Sequence, residues 1–285
     1  MKTYSPLRYP GGKGILFSWI SNLLRQNNLI GGNYIESYAG GAGLAFGLVL
    51  NGLVDRIFIN DFDRSIYAIW DCILNDTDNF IAKINNAQVN LKEWQVQKEI
   101  IKNQQDYSNL ELGFAAFFLN RTNVSGIIKG GPIGGMKQSS KYTVDCRFNK
   151  KYLIQKIIQI ADKKTNIEIF NLDAVEFISL IVKMANRKSL LYLDPPYYKK
   201  GPELYRNFYQ HNDHVKLSQI LKDINLPLLV TYDNCDEIRE LYLKFDKFDF
   251  NLRYSASLKQ KSIGSELMIF KNLKMIDKPN LIKGV

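Results

Sequence analysis

The chain has little from which to build a crosslinked or metal-bound scaffold. Its three cysteines, Cys72, Cys146 and Cys235, are widely spaced in 285 residues, odd in number and without CxxC spacing. This argues against a disulfide framework or a zinc ribbon and suits a reducing cytosol. The two histidines, His211 and His214, are too few for a His-rich metal site; their place at the polar start of a helix predicts a solvated face. No metal is expected. No segment reaches the roughly 20 apolar residues of a membrane span. The most apolar stretch, residues 41–54, is short and glycine-rich, and residues 1–10 hold no apolar signal core, so no membrane partner is expected. Acidic charge is in the minority: 28 Asp and Glu against 38 Lys and Arg give a net charge of +10. Such a surplus serves solubility in many proteins. It is also what a polyanionic partner requires, because phosphates are met by Lys and Arg. Apolar residues, in contrast, are plentiful. At 46% they suffice for one large domain, or for one domain carrying an insertion.

Short β-type runs alternate with helical ones. Residues 33–39 (NYIESYA), 56–61 (RIFIND), 166–171 (NIEIFN), 189–193 (SLLYL) and 226–232 (LPLLVTY) read as strands, and residues 248–254 and 266–270 as a closing hairpin. This order predicts an α/β fold: a doubly wound, mostly parallel, seven-stranded sheet with helices on both faces. Uninterrupted apolar runs such as SLLYL fit strands buried on both sides. Between residues 75 and 149 the alternation stops. Residues 81–102 read as polar helix and 110–119 as apolar helix, while 120–142 hold five glycines and several lysines without a period. The expectation is an inserted, mostly helical subdomain, 75–149, within a domain made of 1–74 and 150–285. A loop as long as 120–142 in a compact domain is commonly functional.

Three stretches carry chemistry. After the first strand, Gly40-Gly41-Ala42-Gly43 allows close approach of the backbone to a ligand, with helix N–H groups aimed at it. Tight packing alone is the competing reading of such a turn. About twenty residues on, Asp61 and Asp63 follow the second strand, at the offset of an acid that binds ribose hydroxyls; taken alone, either reads as the cap of the next helix, but behind the glycine turn Asp61, at the strand terminus, is the favoured ribose acid and Asp63 the alternative cap. The sharpest signal is Asp194-Pro195-Pro196-Tyr197, which follows a buried strand. Two prolines stiffen the backbone and remove two N–H donors. A carboxylate and a neighbouring carbonyl can then accept both hydrogens of an exocyclic amine and aim its lone pair at an electrophile. Tyr197 offers a flat face for a base. Taken alone, a Pro-rich strand exit capped by Asp would explain the tetrad; behind a cofactor loop it reads as an amine site.

These residues, in this order, resemble the Dam-type, D12 class of adenine-N6 DNA methyltransferases over nearly the whole chain. Arg8-Tyr9-Pro10-Gly11-Gly12-Lys13 is similar to the family's aromatic-x-Gly-Gly-Lys segment, and residues 36–43 to its cofactor loop, with Ser37 and Tyr38 in place of Pro and Phe. The resemblance implies a Rossmann-like methyltransferase fold and S-adenosyl-L-methionine as cofactor. It implies cofactor contacts from Tyr9, Lys13, Tyr38, Gly40, Gly41, Ala42, Asp61, Asp173 and Asp194, and catalysis by Asp194, Pro195 and Tyr197. Residues 117–123 (FFLNRTN) resemble the family's Leu-Asn-Arg segment, which implies DNA contacts from Asn120, Arg121, Asn123, Val124 and Lys129. Val124 stands where some members carry an aromatic wedge. The partners implied are double-stranded DNA and, where the enzyme is half of a restriction–modification pair, a cognate restriction endonuclease acting separately. The implied setting is a prokaryotic cytosol or nucleoid. The competing readings are cytosine-N4 methylation, where Ser more often replaces Asp194; methylation of RNA or of a glutamine amide, where Asn does; and a non-catalytic DNA-binding subunit.

Overall fold

The computed structural model describes residues 3–199, 209–254, 262–275 and 277–279. Seven strands form one sheet: β1 (Gly32–Glu36), β2 (Val54–Asn60), β3 (Ile167–Phe170), β4 (Leu190–Leu193), β5 (Leu228–Asp233), β6 (Asp246–Tyr254) and β7 (Ser262–Lys271). Their order is β3-β2-β1-β4-β5-β7-β6. Strands β1 to β5 run parallel, whereas β7 inserts antiparallel between β5 and β6. The chain proceeds outward from β1 through β2 to β3, then returns to β4 on β1's other side. The carboxyl ends of β1 and β4 therefore flank the point where the winding reverses, and there the loops part to leave a crevice.

Alternation along the central strands explains the two layers. Tyr34, Leu190 and Tyr192 point into one apolar core, and their neighbours Ile35, Leu191 and Leu193 into the other. Side chains of successive strand residues leave opposite faces, so four consecutive apolar residues in β4 serve both layers at once. Helices α1 (Phe17–Gln26), α2 (Gly43–Leu50) and α3 (Arg64–Asn75) cover the first face; α8 (Ala174–Met184), α9 (His211–Asp223) and α10 (Asp236–Leu241) cover the second.

Between α3 and β3 lie α4 (Thr77–Asn86), α5 (Leu91–Lys102), α6 (Asn109–Thr122) and α7 (Lys150–Ala161). The stretch read as one polar helix, 81–102, is two. The chain breaks at residues 87–90, where the Asn90 side chain accepts from the Glu93 N–H and starts α5. Such a cap satisfies helix N–H groups that have no partner within the helix. Helix α6 opens with a reciprocal capping box between Ser108 and Glu111. It is buried almost all round from Leu112 to Asn120 and shares the first core with α3 and α7. None of the helices in the described residues is long and apolar enough to cross a membrane.

Candidate active site

A cavity of about 980 Å³ opens at the carboxyl ends of β1, β2 and β4. Its walls come from residues 3–15, the loops after β1 and β2, the start of α8, Asp194 and Pro196, and Arg121 from α6. The turn after β1 is built for close approach. Gly40 has φ +46°, and a Cβ there would stand 2.6 Å from the Tyr9 ring. Tyr9 thus lies against the glycine loop that the sequence placed about thirty residues away from it. Ala42 takes a left-handed conformation, φ 45°, and starts α2. Tyr38 lines the cavity, its hydroxyl 2.9 Å from that of Tyr209.

Asp61 ties the loops together. One oxygen accepts the Gly40 N–H at 2.8 Å and the other accepts the Asp63 N–H at 2.9 Å. Burial, then the neighbouring Asp63, pushes its carboxyl up to about 7, against the pull of those two N–H groups. Asp63 caps α3 by accepting the Ser65 N–H. Asp173 caps α8 through the Val175 N–H and also lines the cavity.

The tetrad sits at the end of β4. Asp194 receives Lys13 Nζ on both oxygens, at 2.7 and 2.8 Å, and the Thr231 hydroxyl at 2.7 Å. Thr231 in turn is 2.9 Å from the Tyr192 hydroxyl. Lys13 also donates to the Gly11 carbonyl at 3.2 Å and to the Tyr197 hydroxyl at 3.3 Å. Asp194 and Pro196 face the cavity, whereas Pro195 and Tyr197 are buried. This corrects the expectation of an open Tyr197 face. Only 4% of the residue is exposed, because its hydroxyl is drawn inward to Lys13 and to Glu266 of β7.

Of the residues expected at DNA, Val124 and Lys129 are exposed and Arg121 is half-buried on the cavity wall. Asn120 and Asn123 are not at the surface. Asn120 is 1% exposed; its amide bridges Arg8, through that residue's N–H and carbonyl, to the Gly126 carbonyl. Asn123 is fully buried, held by the Trp94 indole and the carbonyls of Ile127 and Ile128. A direct contact of either side chain with DNA is corrected to a positioning part, since their amide groups are spent inside the protein. They shape a turn in which Ser125 and Gly126 both have positive φ, 57° and 78°. At Gly126 a Cβ would meet the Arg8 carbonyl at 2.2 Å, so only glycine lets this turn dock on the segment that carries Tyr9 and Lys13.

Several residues at the site had no role assigned from sequence. Glu36 ends β1, lines the cavity, and leaves one carboxylate oxygen without a hydrogen-bond partner. Burial, then Asp194, holds its carboxyl well above the ordinary range. Asn60, 1% exposed, bonds to the Ser37 and Leu172 carbonyls and accepts the Leu172 N–H, joining the ends of β1, β2 and β3. Phe62 is 59% exposed on the cavity wall. Asp233 accepts the N–H groups of Tyr198 and Lys199 just beyond the tetrad. The signal for Glu36 and Phe62 was their position directly beside the glycine loop and Asp61. One of the two histidines also differs from expectation. His211 is exposed, but His214 is buried among aromatic rings, with Nδ1 2.9 Å from the Tyr232 hydroxyl, and burial pushes its pKa down to about 4. Among the described residues no cluster of three or more His, Cys, Asp or Glu side chains could hold a metal.

A seven-stranded, mostly parallel sheet with one antiparallel strand, a glycine-rich turn after β1 and an acid after β2 make up the Rossmann-like methyltransferase fold. The chain belongs to the D12 class N6 adenine-specific DNA methyltransferase family, whose family model matches residues 9–256. It is 23% identical over 206 residues to the Type II methyltransferase M.MjaIII of Methanocaldococcus jannaschii, spanning 67% of this chain and 68% of that protein. It is likewise 23% identical over 240 residues to the Type II methyltransferase M.CviBI of Paramecium bursaria Chlorella virus NC1A, spanning 82% and 85%. Among solved structures, the rRNA methyltransferase aviRa of Streptomyces viridochromogenes superposes with a TM-score of 0.34 at 10% identity, covering 88% of this chain and 82% of that one.

Proposed function

We propose that the protein transfers the methyl group of S-adenosyl-L-methionine to the N6 amine of an adenine extruded from a specific site in duplex DNA. The observation that carries this is the Asp194 carboxylate, clamped by Lys13 and Thr231, on the wall of a cavity that also holds Asp61 and the glycine turn. At about 980 Å³ the cavity lies at the upper end of the roughly 300–1,000 Å³ range of ligand pockets, which leaves room for a cofactor and a base together.

The residues fit the cofactor. Asp61 offers acceptors to ribose hydroxyls, Asp173 accepts from an adenine amine, and Phe62 and Tyr38 give apolar walls. Glu36, at the end of β1, lines the cavity and offers a carboxyl group to an ammonium. When bound, the cofactor supplies an electrophilic methyl group on a sulfonium. Asp194 and the Pro195 carbonyl accept the two hydrogens of the target amine and turn its lone pair outward. Lys13 and Thr231 keep the carboxylate from rotating, and the buried Tyr197 fixes the far end of the tetrad.

Residues 75–149 serve target recognition and residues 1–74 with 150–285 catalysis. Arg8 and Arg121 bring positive charge to the cavity. Burial, then Arg8, pushes the Arg121 guanidinium down to about 10, so it stays charged at neutral pH. Lys129 and the exposed Val124 face outward on the turn that Asn120 and Asn123 organise. A restriction endonuclease of the same target site would act separately. The test is transfer of labelled methyl to unmethylated DNA of varied sequence, followed by digestion to nucleosides. N6-methyldeoxyadenosine is the expected product; its absence while cofactor binds refutes the reading.

A further inference from the structure

The network around Asp194 ends on a residue outside both the glycine loop and the tetrad. Glu266 lies on β7 opposite Asp233 of β5 and is fully buried. Its Oε1 accepts the Tyr197 hydroxyl and stands 3.7 Å from Lys13 Nζ. Lys13, itself buried, thus sits between two carboxylates. Asp194, at 2.7 Å, opens on the cavity; Glu266 does not line it. A carboxylate is costly to bury and is tolerated where good partners compensate its desolvation. Here its Oε1 meets two of the groups that fix the tetrad, the Tyr197 hydroxyl and the Lys13 ammonium.

We propose that Glu266 is a positioning residue for methyl transfer. It holds the Tyr197 hydroxyl and shares the Lys13 ammonium, and so keeps Asp194 oriented and available to accept the hydrogens of the target amine. This rests on the amine-methylation reading of the site. Glu266 touches neither the amine nor the methyl donor in this arrangement, and acts only through Tyr197 and Lys13. An ammonium shared with a second carboxylate is less committed to Asp194 than one in an isolated pair. Asp194 can then exchange part of that contact for the substrate's N–H groups. The tertiary structure alone makes the arrangement possible, since Glu266 is 72 positions from Asp194 and arrives on the antiparallel strand.

The test compares single-turnover methylation of DNA by the wild-type protein, Glu266→Gln, Tyr197→Phe and the double variant, with cofactor affinity and Tm measured for each. Gln keeps the size of Glu and removes its charge; Phe removes one oxygen. The expected result is a rate lower by about tenfold in Glu266→Gln, with cofactor Kd within about twofold, and a double variant that loses less than the product of the two single losses. Three results would overturn the proposal when the wild type is active: a Glu266→Gln rate within about twofold of wild type, single losses that multiply independently, or a loss of rate that only tracks the loss of folded protein. A wild-type protein that methylates no adenine in DNA overturns the underlying reading as well, which separates the two failures.

Discussion

Cofactor binding should depend on pH through Asp61. Burial and Asp63 push its carboxyl up to about 7, and its oxygens already receive the N–H groups of Gly40 and Asp63. A ribose hydroxyl that donates to Asp61 prefers the ionised form. If only that form binds, the apparent Kd scales as 1 + 10^(7 − pH): roughly tenfold weaker at pH 6, about twofold at pH 7 and nearly unchanged at pH 8. The sign is therefore tighter binding as pH rises through about 7. Isothermal titration with S-adenosylhomocysteine between pH 5.5 and 8.5 reads this directly, because the product carries the same ribose without the reactive methyl. In Asp61→Asn the step near pH 7 should vanish, and affinity should fall by about 1.5–3 kcal/mol, the worth of a hydrogen bond to a charged acceptor. A flat wild-type profile refutes the reasoning. So does a step that persists in Asp61→Asn, since the titrating group would then be another acid on the cavity, with Glu36 the foremost.

Asp194→Asn should reduce single-turnover methylation by at least about a hundredfold while leaving cofactor Kd within a few-fold, as expected of an interaction realised in the transition state; wild-type turnover would contradict the role of the carboxylate. Lys129→Ala should weaken DNA binding uniformly across sequences and lower the slope of log K against log salt by about 1, checked by fluorescence anisotropy at several salt concentrations. Asn120→Ala strips the Arg8 and Gly126 backbone of three hydrogen bonds; it should cost about 1–3 kcal/mol, seen in urea unfolding, and weaken DNA binding together with it. The wild-type protein without ligand should lose stability relative to Asp61→Asn as pH rises from about 4 to about 7. The folded state there still holds a proton that the unfolded chain has released.

Local pattern carried much of the fold. The four apolar residues of β4 and the alternating neighbours in β1 could be read as strands because burial on two faces demands apolar side chains at every position. The cap at Asp63 was legible as one reading of that acid for a different reason: capping acts over two or three residues. The break in the polar helix at residues 87–90 was less visible, because no proline or glycine marks it and an Asn cap resembles any other Asn until the helix is seen. Residues 120 and 123 were expected at DNA through the resemblance to the Leu-Asn-Arg segment, and a polar amide does not by itself reveal whether it faces outward or inward. Here both amides turn inward and replace backbone partners in a tight turn.

The Asp194-Pro195-Pro196-Tyr197 tetrad, the glycine turn and Asp61 were determined by sequence, because each draws its meaning from residues within a few positions of itself or from the regular strand–helix spacing. What the tertiary structure decided is which of these meet. Lys13 reaches Asp194 across 181 positions, Asn120 reaches Arg8 across 112, and Glu266 reaches Tyr197 across 69. The contacts of Lys13 and Glu266 follow from the return of the chain to β4 and the insertion of β7 beside β5, that of Asn120 from the docking of the turn after α6 on the N-terminal segment, and long-range pairing of this kind leaves no periodic mark in the sequence.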